Sequence, residues 1–242
     1  LSSIVSIFQN NLTELAWTHD LDNIFKYFNN YFDILNNYNK TNTTLKKIAK
    51  TNKNIKLIKF NFITSLKKIE KFLSKKEFKN CSVFINALGH IKEVAFDKIK
   101  LQDLDKVMKV NFYPSIFFTK IIGREMNKRK WGRIINLGSI GVKFGGGNKN
   151  FPYSFSKHAL EFIPSEVKKW SKNNVLVNTI RVGVTDTKLH HKLTNKNIRK
   201  RAMLIPMKRI ADTKEIAEFV YFLGSEKNTY ISNQVLPISG GE

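Results

Sequence analysis

The chain has 242 residues, 42% of them apolar, enough for one α/β domain with a substantial core and too few for two generous ones. Its formal net charge of +23 raises nucleic-acid binding, but the lysines are scattered among Asn, Ile and Phe with no aromatic–basic interleaving, which points to no nucleic-acid partner and leaves an anionic substrate or partner as what such a field would steer. A single cysteine, Cys81, excludes an internal disulfide and any multi-cysteine metal site and agrees with a reducing cytoplasm, and no apolar run approaches the roughly 18 residues of a membrane span.

Leu1 to Phe8 is apolar but lacks the basic stretch and cleavage site of a secretory signal. A chain that opens on Leu1 rather than methionine reads as a fragment, a processed product or a translated genomic stretch. Ser3 to Phe8 is strand-like, whereas Leu12 to Leu15 makes a poor buried strand because Glu14 interrupts the apolar run. Leu21, Ile24, Phe25, Phe28 and Phe32 fall near helical spacing and predict a helix over 20–32. A short strand from Phe32 to Asn36, a helix from Leu45 to Lys50, an alternating strand from Ile55 to Phe62 and a helix from Leu66 to Leu73 follow. Val83 to Ile85 is a buried strand ending in Asn86-Ala87-Leu88-Gly89, and one long helix is expected from Leu104 to Asn127. Trp131-Gly132 turns into a strand over Arg133 to Leu137, then a glycine-rich loop runs from Gly138 to Asn150. A helix over Tyr153 to Ser171 contains Pro164, which should kink it. Strand Val175 to Ile180, helix Ile216 to Gly224 and strand Gln234 to Ile238 complete the chain before Gly240-Gly241. The alternation predicts an α/β fold with a Rossmann-like, doubly wound parallel sheet, as a single domain over 1–242 whose first thirty residues are atypical.

The chemistry concentrates on Tyr153-x-x-x-Lys157 and Ser139. Residues four apart on a helix share a face, so an ammonium stands beside a phenol. That neighbour should lower the phenol pKa from about 10 and make it a general acid/base near neutral pH, with Ser139 hydrogen-bonding the same substrate oxygen. Alone, Tyr-x-x-x-Lys is a common surface pairing. His90, His158, His190 and His191 form no metal-ligand set, so no metal is expected.

From about Ile55 onward the chain resembles the short-chain dehydrogenase/reductase family, especially its 3-oxoacyl-(acyl-carrier-protein) reductases. The resemblance rests on Asn86-Ala87-Leu88-Gly89, Val107-Met108-Lys109-Val110-Asn111, Gly132 to Ser139, Tyr153-Ser154-Phe155-Ser156-Lys157, Val177 to Thr187, Pro206 to Ile210 and Ser239-Gly240-Gly241. It implies a catalytic set of Asn111, Ser139, Tyr153 and Lys157: Tyr153 exchanges the proton, Lys157 tunes it and binds the nicotinamide ribose, Ser139 positions the substrate oxygen, and Asn111 holds a relay water. It further implies cofactor contacts at Asn61, Asn86, Gly89, Tyr153, Lys157, Gly183, Thr185 and Thr187. The cofactor is expected to be NADP(H), with NAD(H) as the other option, because no acid follows the second strand and Lys40 would suit a 2′-phosphate. The substrate would be a small carbonyl or alcohol, acyl-thioester- or sugar-linked, and Lys192, Lys196, Arg199, Lys200 and Arg201 would suit an anionic one. A homodimer or homotetramer, built through the helices of Asn111 and Tyr153, is also implied.

Four departures stand out, one being that residues before Leu21 make a poor first strand while the more strand-like Ser3 to Phe8 lies too far upstream for the usual spacing. The family's Thr-Gly-x-x-x-Gly loop is absent, and aligning the helix at Leu21 puts Ala16, Asp20 and Asp22 at its glycine positions, where side chains obstruct and carboxylates repel a diphosphate. Val182 replaces a proline before Gly183 and should loosen that loop. The fourth is Pro164. The alternative to an active reductase is therefore a catalytically impaired homologue serving as a scaffold or subunit.

Overall fold

The structure, a computed structural model, describes residues 3–8, 13–18, 56–60, 65–74, 76–187 and 198–242. The expected helices over 20–32 and Leu45 to Lys50 and the strand from Phe32 to Asn36 lie outside them. Seven strands form one sheet: β1 (Ser3–Phe8), β2 (Thr13–Thr18), β3 (Lys56–Phe60), β4 (Cys81–Ala87), β5 (Gly132–Leu137), β6 (Val175–Val182) and β7 (Val235–Ile238), in the spatial order β3-β2-β1-β4-β5-β6-β7. β1, β4, β5, β6 and β7 run parallel, giving the expected Rossmann-like α/β core.

The N-terminal edge departs from the doubly wound pattern. β2 follows β1 directly and pairs with it antiparallel, from Phe8↔Glu14 to Ile4↔Thr18, and β3 pairs antiparallel with β2. Ser3 to Phe8, not the segment before Leu21, takes the position beside β4. Ala16 is therefore mid-strand, opposite Ser6 and Leu57, which corrects its assignment to a glycine-loop position. Asp20 and Asp22 lie outside the described residues. Glu14 is accommodated in a strand after all, at a register position facing Lys59.

The parallel strands are apolar on both faces because helices cover both. Phe84, Ile134 and Val177 join Ile69, Phe72, Phe118, Ile122 and Trp170 in one core, under α1 (Leu66–Leu73), α2 (Lys76–Lys79) and the helical stretch of residues 113–129. Val83, Ile85, Ile135 and Ile180 face the other core with Ile216, Ala217, Val220 and Leu223 of the Thr213–Gly224 helix. That helix starts at a reciprocal cap, with Asp212 accepting from Lys214 N (2.8 Å) and Glu215 accepting from Asp212 N (2.7 Å).

At the start of β5, Arg133 is 1% exposed and stacks on Trp131. Its guanidinium donates to the carbonyls of Gly132, Asn174, Ser225 and Asn228. Burial brings its pKa down to about 10, so it stays charged at neutral pH.

Two expected helices are broken, both at prolines. α3 (Leu101–Asn111) stops at Phe112 (φ −112°, ψ −55°), and α4 (Tyr113–Phe118) begins anew before a π-helical turn at Thr119–Gly123 and α5 (Arg124–Arg129). Pro114 has no N–H to give the Val110 carbonyl, which ends the first segment. Likewise α6 (Phe151–Ala159) ends well before Pro164, which starts α7 (Ser165–Lys168) rather than kinking a continuous helix.

Candidate active site

β4 and β5 end side by side, and their C-terminal ends carry the site. Ser139 follows β5 in extended conformation, and its Oγ accepts from Gly141 N at 3.1 Å, starting the 3-10 turn over Ile140–Phe144. Gly145, Gly146 and Gly147 then carry positive φ, and at Gly146 a Cβ would collide with Asn150 O at 2.5 Å, so the turn into α6 requires glycine there. α6 brings half-buried Tyr153 back over β5, close enough to Ser139 for that side chain to act on its hydroxyl.

Lys157, one turn along α6, is 3% exposed and lies 5.8 Å from the Tyr153 ring centroid. Its Nζ donates to Leu88 O (2.8 Å) and Leu137 O (2.6 Å), stitching together the ends of β4 and β5. An ammonium has three protons, so one remains for a hydroxyl-bearing ligand. Gly89 stands alongside without a side chain, and a Cβ built there would be 3.8 Å from Nζ. Burial lowers Lys157 to about 7. Against the expected lowering by Lys157, burial pushes Tyr153 up to about 12, with the Ser139 side chain opposing that rise.

Asn111, fully buried at the break between α3 and α4, accepts from His90 N (2.7 Å) and donates to His90 O (3.1 Å) and Ser156 Oγ (2.8 Å). Ser156 Oγ in turn donates to Tyr153 O at 2.7 Å. The side chain thus clamps the loop after β4 to the catalytic helix, and only its main-chain carbonyl remains for a water. Asn86 is equally committed: it donates to Asn136 Oδ1 (3.2 Å), which also accepts from Ser115 (2.9 Å), and its own Oδ1 accepts from Leu88 N (3.2 Å). It shapes the loop rather than offering its side chain outward.

On the far side, Gly183 N donates to Ile238 O (2.9 Å) and Thr185 Oγ1 donates to Gly183 O (3.0 Å). A Cβ at Gly183 would approach Ser239 Cα to 2.6 Å, so only glycine fits. Val182 does not loosen this segment: it is the last rung of β6, paired with Ile238. Thr187 follows in a bend after Asp186, whose N donates to Ala211 O (2.9 Å). Lys40, Asn61, His190, His191, Lys192 and Lys196 lie outside the described residues. Arg201, on the Ile198–Leu204 helix, is ion-paired with Glu242 rather than turned to a substrate. Sequence reasoning missed the structural parts played by Ser156 and Asn136, although a serine at the third position after Tyr153 lies on the buried face of its helix.

A tyrosine acid, a lysine and a serine at the carboxyl ends of parallel strands define an oxidoreductase class of this fold. The family model described as enoyl-(acyl carrier protein) reductase matches residues 34–242, and the chain belongs to this family of short-chain dehydrogenases/reductases. It is 31% identical over 208 residues to 3-oxoacyl-(acyl-carrier-protein) reductase of Buchnera aphidicola, covering 83% of this chain and 84% of that one. Among solved structures it is similar to a protein described as a 2-deoxy-d-gluconate 3-dehydrogenase from Agrobacterium tumefaciens with bound NADP (TM-score 0.61, 26% identity, 67% of each chain). It shares its fold with ElxO with NADP bound (TM-score 0.65, 24% identity, 72% of this chain and 73% of that one). Among the described residues no helix is long and apolar enough to cross a membrane.

Proposed function

We propose that this chain is a cytoplasmic carbonyl reductase that uses NADP(H) and acts, as a single domain, on an acyl-thioester- or sugar-linked carbonyl. The observation that carries it is the meeting of Ser139, Tyr153 and Lys157 where β4 and β5 end. When bound, the nicotinamide supplies the hydride. Tyr153, with its phenol raised by burial to about 12, is protonated at neutral pH and gives its proton to the substrate oxygen as the carbonyl is reduced. Ser139 holds that oxygen. Lys157 offers its remaining proton to the ribose, with Gly89, Thr185 and Thr187 around it, and the Asn111 carbonyl holds the relay water. The Agrobacterium neighbour's NADP supports the cofactor, with Lys40 the candidate for its 2′-phosphate.

These residues fit the nicotinamide–ribose half of such a cofactor. At the diphosphate half the described residues do not fit, because β1 leads into a hairpin. That hairpin favours the second reading, an impaired homologue acting as a subunit. Assembly through α3 and α6 is supported by Phe96 and Leu101, exposed at 70% and 82%, and by the Phe96–Phe151–Phe155 ring cluster.

Tyr153→Phe tests the reading. Reduction of 3-oxoacyl thioesters, followed as NADPH oxidation, should fall at least about 100-fold with unchanged circular dichroism. Near-normal turnover in the variant would remove Tyr153 from the mechanism, and no turnover in the parent would favour the subunit.

A further inference from the structure

Open α/β sheets hold a dinucleotide's diphosphate on the amides at the start of the helix that follows the first strand. Such a helix is the crossover between two parallel strands, and a crossover needs a dozen or more residues. Here β1 ends at Phe8 and β2 begins at Thr13, and the two pair antiparallel. The four residues between these strands are too few for a crossover helix beside Leu88 and Ser139. The chain leaves β2 at Thr18, opposite Ile4, and returns in β3 at Lys56, opposite Trp17. The family match begins only at residue 34.

The nicotinamide end is intact by contrast. Lys157 keeps a proton beyond those given to Leu88 and Leu137, Gly89 leaves its approach open, and Gly183 is tied to β7. We propose that this chain grips its cofactor by the nicotinamide–ribose half and gains nothing from the diphosphate, the β1–β2 hairpin having replaced the diphosphate cradle. The proposal rests on the reductase reading and specifies how that site is loaded.

Calorimetry on the full chain, at one fixed ionic strength, compares reduced nicotinamide mononucleotide with NADH. The two carry comparable charge and share the nicotinamide ribose, and neither has a 2′-phosphate. Their dissociation constants should agree within about threefold, where a diphosphate cradle would separate them by tenfold or more. NADH binding at least tenfold tighter, about 1.4 kcal/mol, overturns the inference and leaves the reductase reading standing. Absence of binding by either overturns both. Gly89→Ala adds a methyl at ordinary contact distance from Lys157 Nζ, so the fold survives it. It should weaken both ligands by the same factor, and a loss confined to NADH would equally overturn the inference.

Discussion

The two ends of the sheet are held by different means. From β4 to β7, long polar side chains are buried and spent on backbone: Lys157 on Leu88 and Leu137, Asn111 on His90, Arg133 on carbonyls of distant loops. From β1 to β3, the described order is that of a backbone ladder with one antiparallel strand inserted. The difference teaches that the candidate site beside β4 and β5 can be fixed by its own polar network while the strand direction at the other edge departs from parallel. Substitutions on either side of that divide should behave differently.

The largest effect is expected at Lys157. Its pKa is about 7 in the folded chain against an ordinary value of 10.5, so the unfolded chain binds more protons between those limits and stability rises with pH there. The full cost of burying the ammonium is present below pH 7 and gone above 10.5. At about 1.4 kcal/mol per unit, the parent should gain on the order of 5 kcal/mol relative to Lys157→Met across that window, read from urea unfolding of both at matched pH. A difference that does not vary with pH would mean that the ammonium is not desolvated.

Next comes Asn111→Ala. It strips partners from His90 N, His90 O and Ser156 Oγ at once, each buried or half-buried, and should destabilise by about 3 kcal/mol. Because Ser156 also holds the Tyr153 carbonyl, turnover should fall with it. A variant of unchanged melting temperature would show that the clamp is dispensable.

The smallest effect sharpens the contrast from the other side. Ala16→Gly sits mid-strand in β2, so it should cost only about 0.5–1 kcal/mol of stability. It should leave cofactor affinity unchanged by calorimetry. A gain in affinity would restore Ala16 to a phosphate loop and contradict the hairpin.

Much of the candidate site was legible in the sequence. Tyr153 and Lys157 lie four apart, and that spacing survives wherever the helix goes. Ser139 was readable because Ile134 to Leu137 is apolar on both faces, which fixes a central strand and hence where its loop emerges. The break at Pro114 was also readable, since a residue without an N–H cannot continue a helix, yet the apolar spacing around it suggested one long element. The Tyr153 pKa was not readable, since adjacency to Lys157 says nothing of where the ammonium's protons go. Nor was the hairpin. Ser3 to Phe8 has strand character, but Glu14 spoiled the reading of the next segment, and strand direction is set by pairing with β4 and β3, which lie far away in sequence.

Arg133 carries a further consequence. Its guanidinium gathers carbonyls from residues 132, 174, 225 and 228, so the floor beneath β5 and β6 is closed entirely by the later part of the chain. None of those partners comes from the first sixty residues. A change at position 133 therefore unties several loops together, and the chain's tolerance of mutation is narrow at that one buried arginine.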